Sequence, residues 1–458
     1  MKLKVLFPLP AWKTAALCFG AVVVLLLTSA FNALASNDDK EITPVVAKAE
    51  PSFWNQQYML GDWGGERTAL AKEGVTFDFN NIGDFQADVS GSQTHHATYF
   101  GRFRASTDID FNKLSDFDGE FFFSAIWQYG RNLSGDYLHT NTLTSSIAGE
   151  ESERIDQFWY QQGFFNSKFK VKLGQIAGVN EFGATDFFDI LFNDELGYAP
   201  NALFNTRVPF SPAGKPGIVL WGDLSDITPG LYVKGGVFTG YDNPYRPDSN
   251  GVYYHDDFNH GISAAFEVGY KEQNTSYDGV YKLGVTGTPD TPYNNPATGQ
   301  LYHGDYNIYA TVEKTVYHPL KLVQSNDPKD MKSSTSEVLD TSRGLDLLFQ
   351  FYGEPGDRNP FQYEFTMGGR YTGLFDSRPK DKLGFGLIYS DNGIAFSEAN
   401  INSGGPGLGG ETTLELDYQF AITPWFAIQP DVQYIIDPGG NSDRDNITVL
   451  ALRTIVQF

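Results

Sequence analysis

Polar and apolar residues alternate one by one along many short stretches of this 458-residue chain. From Gly101 to Phe111, one parity holds Gly, Phe, Ala, Thr, Ile and Phe, and the other holds Arg, Arg, Ser, Asp and Asp. Successive side chains of a β-strand point to opposite faces. The pattern therefore predicts a strand with one apolar and one polar face.

The same alternation predicts sixteen strands in all, an even number that is typical of a bacterial outer-membrane β-barrel. The predicted strands span residues 75–89, 98–111, 119–130, 154–165, 167–176, 216–223, 230–240, 260–270, 277–287, 304–317, 343–353, 360–373, 382–392, 410–421, 424–437 and 446–458. No helix–strand alternation is present, which disfavours a βαβ enzyme. We therefore expect an all-β protein, a transmembrane antiparallel β-barrel.

The connections between these strands differ in length, as expected for a barrel with short turns at one rim and long loops at the other. Tight turns are predicted at 353–360 and 423–424, and longer polar loops at 131–153, 241–259, 288–303, 318–342 and 393–409. Residues 177–215 are rich in Gly, Pro, Asn and Asp and predict a loop that could fold inward.

The first 35 residues predict a secretory signal peptide. Three lysines precede an apolar run from Ala15 to Leu27, and Ala33-Leu34-Ala35 forms a small-residue cleavage pattern. The apolar run is shorter than the roughly 20 residues that a membrane-spanning helix needs. We expect export and cleavage after Ala35.

The exported chain then divides into two parts. Residues 36–74 predict a polar segment that contains a short helix from Glu66 to Glu73, with Gly74 in the position that ends many helices. Residues 75–458 contain all the predicted strands and form the predicted barrel domain.

Composition narrows the possible functions. The chain has 37 Phe, 25 Tyr and 48 Gly, yet no long apolar run follows the signal, so helical membrane spans are not expected. Its one cysteine, Cys18, lies in the signal, which leaves no thiol chemistry. The net charge of −23 makes nucleic acid an unsuitable partner. His95 and His96 lack a metal-ligand spacing and no catalytic motif appears, so we expect neither an enzyme nor a cofactor or metal.

The last predicted strand ends on Phe458, which has the same parity as Leu450, Leu452 and Val456. An alternating final strand that ends on an aromatic residue is typical of outer-membrane barrels. Phe458 is therefore predicted to act as an assembly signal for the barrel-assembly machinery. A secreted glycan-binding β-sandwich stays an alternative, because its strands also have one apolar face.

Motifs of a known family occur in order at both ends of the chain. They are Gly61-Asp62-Trp63-Gly64-Gly65-Glu66-Arg67-Thr68, Phe351–Asn359, Gly368–Leu374, Arg378–Gly384, Glu411–Leu416, Pro424-Trp425, Gln429–Ile435, Pro438-Gly439-Gly440, Leu452-Arg453 and Phe458. Together they resemble the carbohydrate-selective porin family, the OprB family. The resemblance implies a barrel of about sixteen strands in the outer membrane, through which sugars diffuse passively. Residues 177–340 match only in fragments, so substrate preference stays open.

A channel for sugars needs side chains that exchange hydrogen bonds with hydroxyl groups. The candidate channel-lining residues are Arg102, Arg104, Asp108, Asp110, Lys170, Lys172, Glu364, Arg370, Glu415, Asp431 and Arg453. Arg102 and Arg104 share one predicted inner face and are the preferred sugar contacts. The alternative for every one of these residues is that it hydrates the wall or pairs with a facing charge.

The expected partners are outer-membrane lipid, permeating sugars, the barrel-assembly machinery and possibly further copies of this chain. A general or anion-selective porin is the second hypothesis for function, and the glycan-binding sandwich is the third.

Overall fold

A computed structural model describes residues 52–92, 94–115, 117–185, 190–197, 200–240, 250–252, 254, 260–273, 276–324 and 335–458. The predicted signal peptide and residues 36–51 lie outside the described residues.

In the part of the chain that the structure describes, sixteen antiparallel strands form one closed barrel, which is completed where the first strand pairs with the last. The barrel strands are β1 Val75–Ser90, β2 Ala97–Asp110, β3 Gly119–Gly130, β4 Ser152–Phe164, β5 Phe169–Ile176, β6 Lys215–Asp223, β7 Leu231–Thr239, β8 Ile262–Lys271, β9 Gly279–Asn294, β10 Leu301–Tyr317, β13 Gly344–Gly353, β14 Phe361–Thr372, β15 Lys382–Asn392, β16 Gly410–Thr423, β17 Phe426–Ile436 and β18 Ile447–Gln457. The predicted barrel is confirmed, strand for strand. The β-sandwich alternative is wrong, because the strands form one closed sheet and not two stacked ones.

Short helices precede the first strand or lie in the connections between strands. They are α1 Glu66–Lys72, α2 Phe111–Ser115, α3 Pro200–Asn205 and α4 Ile394–Asn402, with single helical turns at Trp63–Gly65, Ser134–Leu138, Gly178–Asn180 and Pro438–Gly440. The predicted N-terminal helix corresponds to α1. Gly74 follows it with a φ of 96°, and a Cβ there would lie 2.4 Å from the Asp110 carbonyl oxygen, so only glycine suits this turn. None of the helices in the described ranges is long and apolar enough to cross a membrane.

The two faces of each strand differ in the way the alternation predicts. On β18, the Leu450 and Leu452 side chains are exposed, whereas Val449 and Arg453 are buried. On β16, Leu414 is exposed and the neighbouring wall positions are buried. Exposed apolar side chains on the outside and polar ones inside are the arrangement of a barrel in lipid.

The barrel has two rims, one at each end. The terminal rim is the one at which β1 begins and β18 ends, and the loop rim is the opposite one. The predicted loop 288–303 is mostly strand, because β9 and β10 continue their antiparallel pairing as far as Asn294 and Leu301. The predicted loop 318–342 contains a separate hairpin of β11 Leu320–Gln324 and β12 Thr335–Leu339. This hairpin lies at the terminal rim among short turns, so the prediction of long loops at one rim only is wrong.

Candidate functional site

The segment between β5 and β6, residues 177–214, is the first inward loop of the barrel. Ile190, Leu191 and Leu196 are fully buried and pack with the wall residues Leu348 and Ile388. Burying such side chains removes apolar surface from water, which holds the segment inside rather than above the rim. The inward fold predicted for this region is therefore observed.

Carboxylates of the wall bind the backbone of this loop. The amides of Phe192 and Asn193 donate to the two Glu415 oxygens at 2.7 and 2.8 Å. Across the lumen, the Gly183 amide donates to Glu267 at 3.1 Å. Hydrogen bonds to a charged acceptor satisfy buried amides that have no strand partner. Glu415 therefore positions the loop.

Residues 131–151, between β3 and β4, form the second inward loop. Leu133 and Leu138 pack with Ile435, Ile447 and Val449 of the wall. The sequence predicted this segment only as a long polar loop.

The two inward loops bind each other directly. The Ser146 amide donates to the Phe192 carbonyl at 2.5 Å, and the Leu143 amide donates to the Asp194 carboxylate at 2.9 Å. Together the loops narrow the lumen beside β16, β17 and β18.

Arg453 lies under the contact between these loops. Its guanidinium donates to both Asp84 oxygens, at 2.8 and 2.7 Å, and lies 4.1 Å from the centre of the Phe192 ring. Ser145 donates to the same Asp84 carboxylate at 2.7 Å. Arg453 and Asp84 are buried, so this bidentate pair supports the loops and is shielded from a passing solute.

Comparison with known proteins agrees with this arrangement. The family model of the carbohydrate-selective porins, the OprB family, matches residues 94–458. This chain belongs to the OprB family. It is 25% identical to Porin B of Pseudomonas aeruginosa over 453 residues, covering 90% of this chain and 93% of that protein. It is 23% identical to the putative porin QuiX of Acinetobacter baylyi, covering 89% of this chain and 94% of that protein.

The fold has a counterpart among solved structures. The high-pH structure of Pseudomonas putida OprB matches with a TM-score of 0.77 at 23% identity, covering 89% of this chain and all of that one. Family and fold identify an outer-membrane carbohydrate porin, which is a channel.

Three buried carboxylates of this OprB-family porin lie together on β16 and β17. Oxygens of Glu415, Asp417 and Asp431 lie within 4.8 Å of one another, a spacing that could hold a cation. Other groups already engage them, since Gln429 donates to Asp417 at 3.0 Å and Gln433 to Asp431 at 3.1 Å. We therefore assign these carboxylates to the hydrogen-bonded wall that supports the inward loops.

The preferred sugar contacts, Arg102 and Arg104, are half-buried side chains on one face of β2. Arg104 donates to Asp156 at 2.9 Å. The same Asp156 oxygen accepts from Ser124 at 3.1 Å and from Ser211 of the first inward loop at 3.0 Å. Arg104 thus also balances the charge of a carboxylate that binds the loop.

A basic and aromatic group of side chains lies on β4 to β7. Lys172 forms a 2.5 Å ion pair with Glu181 of the first inward loop and lies 3.7 Å from the centre of the Trp159 ring. The ammonium of Lys170 lies 5.3 Å from the Trp221 ring centre.

The remaining candidates lie elsewhere. Arg370, near the terminal rim, pairs with Asp346 at 3.1 Å and lines a cavity of about 520 Å³. Asp110 ends β2 and lies 3.6 Å from Lys113, while Asp108 is half-buried on the same face. Glu364 is buried in the wall.

The predicted site residues therefore form separate groups. Glu415, Asp431 and Arg453 lie together, whereas the β2 arginines, the β5 lysines and Arg370 each have their own surroundings.

Sequence reasoning missed several carboxylates that organise this lumen. Asp84, Asp156 and Glu267 all lie on buried faces of predicted strands. For Asp84 a signal was present, since Gln86 and Asp88 share its parity in the first predicted strand. Their loop partners could not be identified from alternation.

Proposed function

We propose that this porin conducts carbohydrates by passive diffusion through the space left beside its two inward loops. One observation supports this most directly: the loops are held inside the barrel by hydrogen bonds to wall carboxylates such as Glu415. A sixteen-stranded barrel is too wide for side chains alone to fill, so such loops set the width of the passage.

The candidate lining residues have two proposed roles. Half-buried side chains, namely Arg102, Asp108, Lys170 and Arg370, exchange hydrogen bonds with sugar hydroxyl groups along the path. Buried side chains, namely Glu364, Glu415, Asp431 and Arg453, act by positioning the loops. Arg104 and Lys172 combine both roles, because each pairs with a carboxylate but keeps part of its surface exposed.

Export and assembly complete the proposal. Residues 1–35 direct export and are removed, residues 36–74 precede the barrel domain, and the strand ending at Phe458 is recognised by the barrel-assembly machinery. The protein then lies in outer-membrane lipid, where copies of the chain could associate. The permeation step itself requires no cofactor.

The test is reconstitution of the exported chain into planar bilayers and liposomes. We expect ion channels whose current is blocked by D-glucose, together with liposome swelling in glucose that exceeds swelling in a larger oligosaccharide. Channels that conduct ions but show no block and no discrimination between sugars would favour the general-porin alternative. A high preference for chloride without sugar block would favour the anion-selective one.

A further inference from the structure

The strand register aligns a tryptophan between two lysines on the inner wall. Lys170 of β5 is directly opposite Trp221 of β6, and Trp221 is directly opposite Lys234 of β7. Paired residues of adjacent strands point to the same face, so the three side chains form one row. Adjacent strands lie about 4.8 Å apart, which places the two lysine backbones roughly 10 Å from each other on either side of the indole.

The two lysines differ in their contacts. Lys234 donates to the Glu181 carbonyl oxygen at 2.8 Å and is held by the first inward loop. Lys170 makes no hydrogen bond or ion pair with any residue that the structure describes, and its contact is with the Trp221 ring at 5.3 Å. Its three ammonium hydrogens are therefore available to a solute.

A cavity of about 130 Å³ lies over this row. It is lined by Gln161, Lys170, Lys172, Glu181, Val219, Trp221 and Lys234. Three ammonium groups thus face one carboxylate, which is already paired with Lys172. The neighbouring Glu267, opposite Lys234, is engaged by Gly183 and Tyr309 of the loop and wall.

The net charge of the chain is −23, yet this part of the wall is locally positive. Hydration of the wall alone would not require such a cluster of lysines. A half-buried indole beside it offers the apolar surface on which a sugar ring can stack. The two features favour a molecule that has hydroxyl groups and an apolar face and carries one negative charge.

We propose that Lys170, Trp221 and Lys234 form a subsite for sugars that carry a carboxylate, such as uronates and aldonates. The carbon skeleton lies over Trp221, the carboxylate pairs with Lys170, and a hydroxyl group accepts from Lys234. The inference rests on the proposed carbohydrate channel and names a preferred class of solute within it.

The experiment compares D-glucuronate with D-glucose as blockers of single channels in planar bilayers. In the wild type, the half-blocking concentration should be at least about tenfold lower for glucuronate, the effect of one charge-assisted hydrogen bond. Lys170→Gln should remove this preference by weakening the glucuronate block more than the glucose block, because the glutamine amide can still donate to a hydroxyl group but carries no charge. Trp221→Leu should weaken the block by both sugars.

Lys168→Gln is the matched control. Lys168 precedes β5 by one residue, is half exposed and pairs with Asp226 at 2.6 Å outside the cavity, so the substitution removes the same charge without touching the subsite. It should leave both block constants unchanged.

Three results would overturn the subsite: equal block by the two sugars in the wild type, retention of the glucuronate preference in Lys170→Gln, or equal loss in Lys168→Gln. Absence of block and permeation by both sugars would instead contradict the carbohydrate channel itself. Glucose block without a glucuronate preference would contradict the subsite alone. Because Lys170 has no polar partner among the described residues, the K170Q barrel should fold, which the shift in gel mobility on heating verifies.

Discussion

The Arg67 side chain donates a 2.6 Å hydrogen bond to the Phe458 carbonyl oxygen, 391 residues along the chain. Its other terminal nitrogen donates to the Phe77 carbonyl at 2.7 Å, and its guanidinium lies 3.3 Å from the centre of the Tyr58 ring. A residue of α1 thereby joins the first and last strands where the barrel closes. The Gly61–Thr68 motif therefore contributes to barrel closure as well as to the start of α1.

Arg67→Ala should weaken this closure. Two hydrogen bonds from a buried cation disappear, which should lower the free energy of unfolding by about 2–4 kcal/mol. The temperature at which the folded band is lost on gels reports the change. Lys72→Ala is the control, because Lys72 is exposed on the same helix. An unchanged transition in R67A would mean that α1 does not contribute to closure.

Replacing Phe458 tests the same joint from the other side. The Phe458 amide donates to the Phe79 carbonyl at 2.8 Å, and its ring lies 6.0 Å from that of Phe103. Phe458→Asp should greatly reduce the yield of folded barrel, because a charge on the lipid-facing parity is destabilising, by up to about 2–4 kcal/mol for a base and by less for an acid, and because the terminal aromatic ring is lost. Phe458→Tyr keeps the ring and should assemble normally. Normal yields of F458D in outer-membrane fractions would remove the assembly role.

Glu415→Gln tests whether the first inward loop sets the width of the passage. A glutamine offers one oxygen where the carboxylate accepts from both Phe192 and Asn193, so at least one buried amide loses its partner at a cost of about 1–3 kcal/mol. The loosened loop should raise single-channel conductance and admit larger oligosaccharides in liposome swelling.

The exposed Glu398 of α4 offers a control substitution for this test, Glu398→Gln. Wild-type conductance and wild-type size exclusion in E415Q would show that the hydrogen bonds to Glu415 do not hold the loop in place.

Alternation was sufficient to predict the strands of the wall, but not the side-chain pairings and inward loops inside the barrel. Every strand has a period of two, so residues such as Leu450 and Arg453 could be assigned to opposite faces without knowing their neighbours. Pairings such as Arg453 with Asp84 join positions 369 residues apart and depend on register and closure. The hairpin of β11 and β12 was missed because its strands are only five residues long. The inward loops lack any period, and their placement follows from contacts with the wall.

Arg104→Ala separates the two roles of the β2 arginines. It leaves the buried Asp156 carboxylate without its cation, and we expect the free energy of unfolding to fall by about 1–3 kcal/mol. Because Asp156 also binds Ser211, sugar discrimination should fall as well. Arg104→Ala with Asp156→Ala should lose less stability than the sum of the two single variants, since neither charge is then left alone.

Arg102→Ala is the variant to compare with Arg104→Ala. Because Arg102 is proposed to contact the solute, its loss should weaken sugar binding, measured as channel block, by about 1–3 kcal/mol. Additive losses in the Arg104 and Asp156 cycle would show that the pair is not coupled.

The first inward loop should respond to pH through Glu195. Burial raises the pKa of this carboxyl well above its ordinary value, and the nearby Glu364 and Asp194 raise it further. Between about pH 4.3, where an unperturbed glutamate titrates, and the raised pKa, the folded protein therefore binds more protons than the unfolded chain. Stability should be greatest below that value and decrease as pH rises through the raised pKa, because Glu195 then ionises while buried beside other acids. Loosening of the loop should appear as rising conductance and current noise in bilayers at alkaline pH.

Glu195→Gln should flatten this pH dependence, because an amide stays neutral at every pH and can still accept the 3.0 Å hydrogen bond from the Asn201 amide. Glu398→Gln, on the exposed face of α4, should retain the wild-type profile. If the conductance of E195Q rose with pH as steeply as in the wild type, the titrating group would have to lie elsewhere. Asp194 would be the first residue to test, because burial raises the pKa of its carboxyl as well and its Oδ1 accepts the Leu143 amide that joins the two loops.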